Sequence, residues 1–318
     1  MNASELVHNA QELLNKFPPD YEEANKLFER AYKLEPKNSF VLSAYGEFMI
    51  TIGNLENGKI LIEESINVDP SDDYIKYFNL GQILEGEESL SIWKKGIDIL
   101  ANKLRTMETN NNFKNSSNEQ ICFLKDQLCS AFCAVTELYM TDLCDEEGAE
   151  AEIQRYLDKS EKINEDHFET LCCKLSYLKT IDNIHESKKY VSRIKELLYN
   201  KYDLNSDDLI DDDSLSRFPE YSVRLNLSRT LIDLNETELA EEILHSLLVE
   251  DDEDWQVWYL LSWCSLVTNN IENSIESFNL FEKYGEKHII DPELKKQFKL
   301  DLENLRQNIE KVSEFEKK

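Results

Sequence analysis

The sequence predicts an all-α superhelical solenoid of about seven stacked helix pairs with a C-terminal capping helix, and three observations carry that prediction. Self-similarity recurs at a period of 34 residues, as in the spacing of Pro36 and Pro70 and of Leu227 and Leu261. Gly and Pro number only 8 and 6 in 318 residues, a balance that favours long helices over sheets rich in turns. Apolar residues make up 41% of the chain and recur at helical spacing, which is enough for a continuous core and argues against global disorder.

Each pair has the same grammar. The first helix carries a bulky residue, then Leu, then a small residue; the second carries small, large and small residues at spacings of four and three before a closing Pro. Small residues let the helices approach, the large one fills the groove between them, and Pro ends the helix because it has no amide donor. The first repeat (3–38) shows this in Ala24, Phe28, Ala31 and Pro36, and the second (39–72) in Leu42, Tyr45, Gly46 and Met49, then Gly58, Ile62, Ser65 and Pro70. The third (73–104) has Leu80, Gly81 and Leu84, then Ser89, Trp93 and Gly96. This pattern resembles the tetratricopeptide repeat.

A polar Asn/Ser stretch at 105–118 reads as a loop. The fourth repeat (119–166) carries Leu128, Phe132, Val135, Thr136 and Tyr139, then Ile153, Leu157 and Ser160. The fifth (167–200) fits most loosely, with Leu171, Leu175 and Leu178 before Ser187, Val191 and Ile194. A second loop at 201–218 is acidic and Ser-rich. The sixth repeat (219–254) has Leu227, Ser228 and Leu231, then Ala240, Leu244 and Leu247; the seventh (255–288) has Trp258, Leu261, Ser262 and Ser265, then Ser274, Phe278 and Phe281. After Asp291-Pro292, an amphipathic helix over 291–316 aligns Leu294, Phe298, Leu302, Leu305 and Ile309 and is suited to cover the last repeat's apolar face.

Lys plus Arg total 35 against 64 Asp plus Glu, a formal charge of 35 − 64 = −29. Such a surface repels phosphate backbones and anionic lipids, so neither nucleic acid nor membrane is an expected partner; it serves either solubility alone or a basic protein partner. Seven cysteines in an irregular set without a C-x-x-C pair read as reduced thiols packed as small hydrophobes. With no apolar stretch near twenty residues and no basic-then-apolar N-terminus, the chain is expected to be intracellular. The five histidines lie far apart, and no Gly-rich phosphate loop or nucleophile elbow is present, so neither a metal, a cofactor nor an enzyme is expected.

In a solenoid the first helices of the pairs line the concave surface, and positions about one turn apart project into it. Carrying the register along the chain gives Phe40, Ser43, Glu47 and Ile50, then Phe78, Gln82 and Glu85, then Cys133, Glu137 and Met140. The later repeats give Glu169 and Ser176, then Leu225, Arg229 and Asp233, then Tyr259, Trp263 and Leu266. Apolar anchors interleaved with acids suit a peptide both apolar and basic, although Phe78 and Trp263 have the alternative of packing between helices. A clamp for acidic chaperone tails needs Lys and Asn on these faces, where this chain has His8, Glu12, Ser43 and Glu47, with Lys76 alone on the third.

The segment from Glu137 to Glu147 followed by Ala151 to Ser160, together with the acidic loops and the capping helix, resembles a fungal tetratricopeptide family, the dedicated assembly chaperones of the large-subunit ribosomal protein L-four. The resemblance covers most of the chain. It implies an escort, in cytoplasm and nucleus, that binds the new basic ribosomal protein one-to-one, shields its long extended loop and releases it for large-subunit assembly. No basic import signal is visible, so nuclear entry would come from the cargo. The alternative is a scaffold or adaptor subunit of a multiprotein complex.

Overall fold

The computed structural model describes residues 1–16, 18–109, 116–202, 204 and 218–316, and all regular structure among them is helical. Among these described residues fifteen helices follow one another: α1 (Ala3–Leu14), α2 (Tyr21–Leu34), α3 (Ser39–Thr51), α4 (Leu55–Val68), α5 (Ile75–Gln82), α6 (Gly86–Thr109), α7 (Ser116–Met140) and α8 (Ala149–Ile163). Then come α9 (Phe168–Thr180), α10 (Ile184–Asn200), α11 (Tyr221–Asp233), α12 (Thr237–Glu250), α13 (Trp255–Val267), α14 (Ile271–His288) and α15 (Pro292–Glu316). Successive helices pair from α1/α2 to α13/α14, and α15 packs on α14 and α13. The chain forms two compact units, Met1–His167 and Phe168–Lys318, where the sequence reading has a single solenoid; the division falls between the fourth and fifth repeats.

The turn inside a pair is encoded locally. Gly53, Asp182 and Asn269 all adopt positive φ, a conformation open to Gly and tolerated by Asp and Asn. The residue after each, Asn54, Asn183 or Asn270, caps the next helix by accepting a hydrogen bond from the amide three residues on. At α1, Asn2 and Glu5 form a reciprocal capping box.

The small residues sit where two helices touch. A Cβ at Gly46 would lie 2.6 Å from Ile62, and one at Gly96 would lie 2.7 Å from Phe78, so only Gly permits these approaches. Elsewhere Ser takes the position and is satisfied across the interface: Ser262 and Ser274 each donate to the other's carbonyl, at 2.8 and 2.9 Å. Five cysteines are buried, and Cys122 and Cys144 are exposed.

Both described ends of the predicted loop at 105–118 are helical. α6 continues to Thr109 and α7 begins at Ser116, leaving 110–115 outside the described residues. The extension is supported by buried Leu104 and by Thr106 and Thr109, whose hydroxyls donate to carbonyls one turn back. Of the second predicted loop, 201–218, residues 203 and 205–217 lie outside the described residues; Leu204 is buried, and the Tyr202 ring meets Phe218 at 6.2 Å. On α15, Phe298, Leu305 and Ile309 are buried in a cluster with Phe278 and Phe281, while Leu294, expected on the same face, is exposed.

Candidate functional site

In the first unit, α1, α3, α5, α6 and α7 and the α4–α5 turn surround a cleft of about 510 Å³. That volume lies in the roughly 300–1,000 Å³ range of sites that enclose a small ligand or anchoring side chains. Phe40, Ser43 and Glu47 enter it together because spacings of three and four share one face of α3. Asp72 and Asp73 come from the turn, Ile75 from α5, Lys103 from α6 and Phe123 from α7. Three of these side chains are large, apolar and open to water: Phe40 is 47% exposed, Ile75 38% and Phe123 56%. Scattered singly they would be unremarkable, but around one cleft they form an apolar patch.

The charges in the cleft are of two kinds. Lys76 has no exposed surface; its ammonium donates to Ser39 Oγ at 3.2 Å, to the Asp69 carbonyl and to the Asp72 carboxylate. Burial works to raise the Asp72 carboxyl, but hydrogen bonds from Lys76 and Ser39 outweigh it and hold the group below its ordinary value. Lys76 is thus a structural cation, unable to grip a guest's carboxylate. Glu47 is different: loss of surrounding water, and then the charge of Asp73, raise its carboxyl above the usual value. Lys103, with its ammonium 5.4 Å above the Tyr74 ring, is the exposed cation of the cleft.

The remaining predicted positions fall outside the cleft. Phe78 is a correction: it is only 8% exposed and stacks on Trp93 at 4.9 Å, because Gly96 admits its ring between α5 and α6. Ile50 is half-buried against Gly58, Gln82 and Glu85 are exposed, and Met140 is half-buried. Glu137 lies almost four turns along α7 from Phe123, and burial raises its carboxyl. Cys133, Leu225 and Leu266 are buried, so they too are corrected from surface to core.

In the second unit Glu169 and Ser176 are half-buried on α9. Arg229 donates to Asn226 Oδ1 at 2.8 Å and to Gln256, and Asp233 pairs with Lys179 at 2.6 Å. Tyr259 and Trp263 meet edge to face at 6.3 Å, and both pack on the cluster that seats α15.

Sequence reasoning missed Ile75, Asp73, Lys103 and Phe123. A signal for Phe123 existed: Leu124 and Leu128 are one turn apart and both buried, so running the fourth repeat's first helix back from Leu128 brings in Phe123. Among the described residues no group of His, Cys, Asp and Glu is placed to hold a metal ion, and no helix is long and apolar enough to cross a membrane.

The fold defines a helix-pair repeat protein of the tetratricopeptide type, whose first unit opens a cleft lined by apolar and charged side chains. Along 257 residues, 79% of this chain and 70% of the relative, it is 27% identical to the probable assembly chaperone of rpl4 of Schizosaccharomyces pombe. A 46-residue stretch, 14% of the chain and 12% of the relative, is 39% identical to a protein of the same description in Emericella nidulans. The resemblance to the assembly chaperones of L-four, read from the sequence, is borne out over most of the chain.

Among solved structures, the chain superposes with a TM-score of 0.70 on an assembly chaperone of RpL4 (Acl4), at 22% identity, covering 87% of this chain and all (100%) of that one. It also superposes with a TM-score of 0.54 on a tetratricopeptide repeat protein from Parabacteroides merdae, at 14% identity over 94% of this chain and 98% of that one. These two likenesses establish the all-α tetratricopeptide solenoid. No protein-family profile matches the chain.

Proposed function

We propose that this protein escorts a newly made, basic ribosomal protein of the L-four type, keeping it soluble and delivering it for assembly of the large ribosomal subunit. The observation that carries the reading is the 257-residue similarity to the S. pombe protein described as the probable assembly chaperone of rpl4.

The physics of the chain supports it. An extended ribosomal-protein segment rich in Lys and Arg cannot fold by itself and binds RNA indiscriminately. A chain with a net charge of −29 competes with RNA for such a segment. Each exposed charge contact is weak and screened by salt, but several acting with apolar anchors hold an extended guest until rRNA displaces it. Phe40, Ser43 and Glu47, with Ile75 and Phe123, supply such anchors in the first unit. The escort acts as a monomer in a one-to-one complex, in cytoplasm and nucleus, and enters the nucleus with its cargo.

The test is isolation of the tagged protein under mild salt, followed by titration of the purified chain with ribosomal protein L-four at rising ionic strength. The expected results are L-four as the most abundant partner and an affinity that falls steeply with salt. Affinity that does not change with salt would overturn the electrostatic part of the reading. Several stoichiometric non-ribosomal partners in place of L-four would overturn the whole.

A further inference from the structure

We propose that the cleft of the first unit recognises a two-residue signature in an extended basic segment of the guest: a large apolar side chain and a Lys or Arg on the same side of the strand, with Lys103 limiting the strength of capture. The identity of the guest rests on the escort reading above; the chemistry of the cleft does not.

An extended chain places residues i and i+2 on one side, so two neighbouring subsites in a groove read such a pair. The apolar subsite is Phe40, Ile75 and Phe123, all open to water in the free protein. Covering them removes apolar surface from water without moving the core, since none of the three is buried in it.

The cationic subsite is Glu47 and Asp73. Asp72 is occupied by Lys76, whereas no Lys, Arg or His among the described residues pairs with Glu47 or Asp73. Both carboxylates line the same cleft, and the charge of Asp73 adds to the loss of surrounding water, the larger cause, in raising the Glu47 carboxyl. A guest ammonium or guanidinium placed beside them offsets that charge, and an anion would add to it. The occupant that matches both subsites is therefore an apolar and basic segment rather than an acidic tail or a second copy of this acidic chain.

Lys103 works in the opposite direction. It lines the same cleft as Glu47 and Asp73, stands over the Tyr74 ring, and pairs with no carboxylate among the described residues. Its positive charge reduces the attraction for the guest's cation, which suits a protein that must give its guest up.

The test uses a capped, fluorescent heptapeptide with one Ile and one Arg two positions apart in a Gly/Ser background, and in parallel full-length ribosomal protein L-four. Phe123→Ser should weaken the peptide about tenfold with little change in salt dependence. Glu47→Gln should weaken it several-fold and flatten the salt dependence. Lys103→Glu should tighten it several-fold, and a control peptide with Gln in place of Arg should not respond to Lys103→Glu. All three positions are exposed, and cooperative melting at or above the wild-type temperature in each variant confirms that the fold is intact.

Peptide binding indifferent to Phe123→Ser, or weakened by Lys103→Glu, would overturn the cleft assignment; tight L-four binding alongside that result leaves the escort reading standing. Failure of L-four to bind while the peptide responds as expected removes the escort reading and keeps the cleft.

Discussion

The ammonium of Lys76 and the hydroxyl of Ser39 meet at 3.2 Å with both side chains buried, and Ser39 in turn pairs with Ser65 at 2.9 Å. With the Asp69 carbonyl and the Asp72 carboxylate, these bonds tie α3, the end of α4 and the start of α5 to one cation. The floor of the cleft is therefore set by a buried charge whose partners all come from the chain itself.

Replacing Lys76 by Met keeps the volume and removes the donor. Ser39 retains Ser65, but the Asp69 carbonyl and the Asp72 carboxylate lose their partner. Because Asp72 is partly open to water, the expected cost is about 2–3 kcal/mol, below that of breaking a fully buried pair. The pH dependence gives a second readout. Asp72 has a folded pKa below its ordinary 3.8, so its stabilisation is fully present above that value and is lost as pH falls through the lower folded one. Urea midpoints from pH 7 to strongly acid should show this loss in the wild type and a flatter profile in Lys76→Met.

Glu47 should behave in the reverse sense. Its folded carboxyl is raised above 4.5, so ionisation opposes folding above the folded value, and the penalty disappears as pH falls through that value toward 4.5. Glu47→Gln should therefore be slightly more stable than wild type at neutral pH, with the gap closing in acid. Guest affinity should move the other way, falling in the wild type over the same acid range and already low and flat in the variant. Parallel melts and binding titrations across pH check both slopes.

Arg224 is the second unit's counterpart to Lys76. Its guanidinium is buried, donates to the Pro219 carbonyl at 2.7 Å and to Glu250, and lies 5.4 Å from the Phe218 ring and 5.9 Å from Tyr221. Arg224→Met should cost about 3 kcal/mol by denaturant titration, since it leaves Glu250 unpaired and frees the Pro219 carbonyl. Arg224→Lys should recover only part, because one ammonium cannot reproduce the guanidinium's several directed donors.

The helices were legible because their signals are local and repeated. Ala24–Phe28–Ala31 and Ser262–Ser274 each encode a close helix contact by residue type alone, and the structure places them at such contacts. The cleft was only half legible. Phe40, Ser43 and Glu47 follow from spacing on one helix, but Phe78 does not, because the roll of the eight-residue α5 is set by Gly81 against Trp93 and Gly96 against Phe78, contacts with another helix. Lys103 and Phe123 lie inside the predicted third and fourth repeats, but Lys103 is on a second helix, where no concave position was expected, and Phe123 lies nearly three turns before Cys133, the first position carried on α7. Periodicity says that a helix exists; only packing says which way it is rolled.

The seat of the capping helix offers the sharpest steric test. A Cβ at Gly285 of α14 would lie 2.1 Å from the Phe298 ring of α15, well inside contact distance. The ring cannot retreat easily: Phe281 holds it edge-on at 5.0 Å, and Trp255 stands at 6.1 Å on another side. Gly285→Ala should therefore lift α15 from α14 and cost about 1–3 kcal/mol, even though Ala favours an isolated helix over Gly. Limited proteolysis should then cut within α15 faster than in the wild type, because a solenoid end without its cap exposes apolar surface. Phe298→Leu in the same chain makes room for the new methyl group and should restore part of the protection. Ile290→Ser, at a side chain 89% exposed, should leave the cleavage rate unchanged. Wild-type melting and cleavage in Gly285→Ala would show that the α14–α15 contact is looser than its geometry requires.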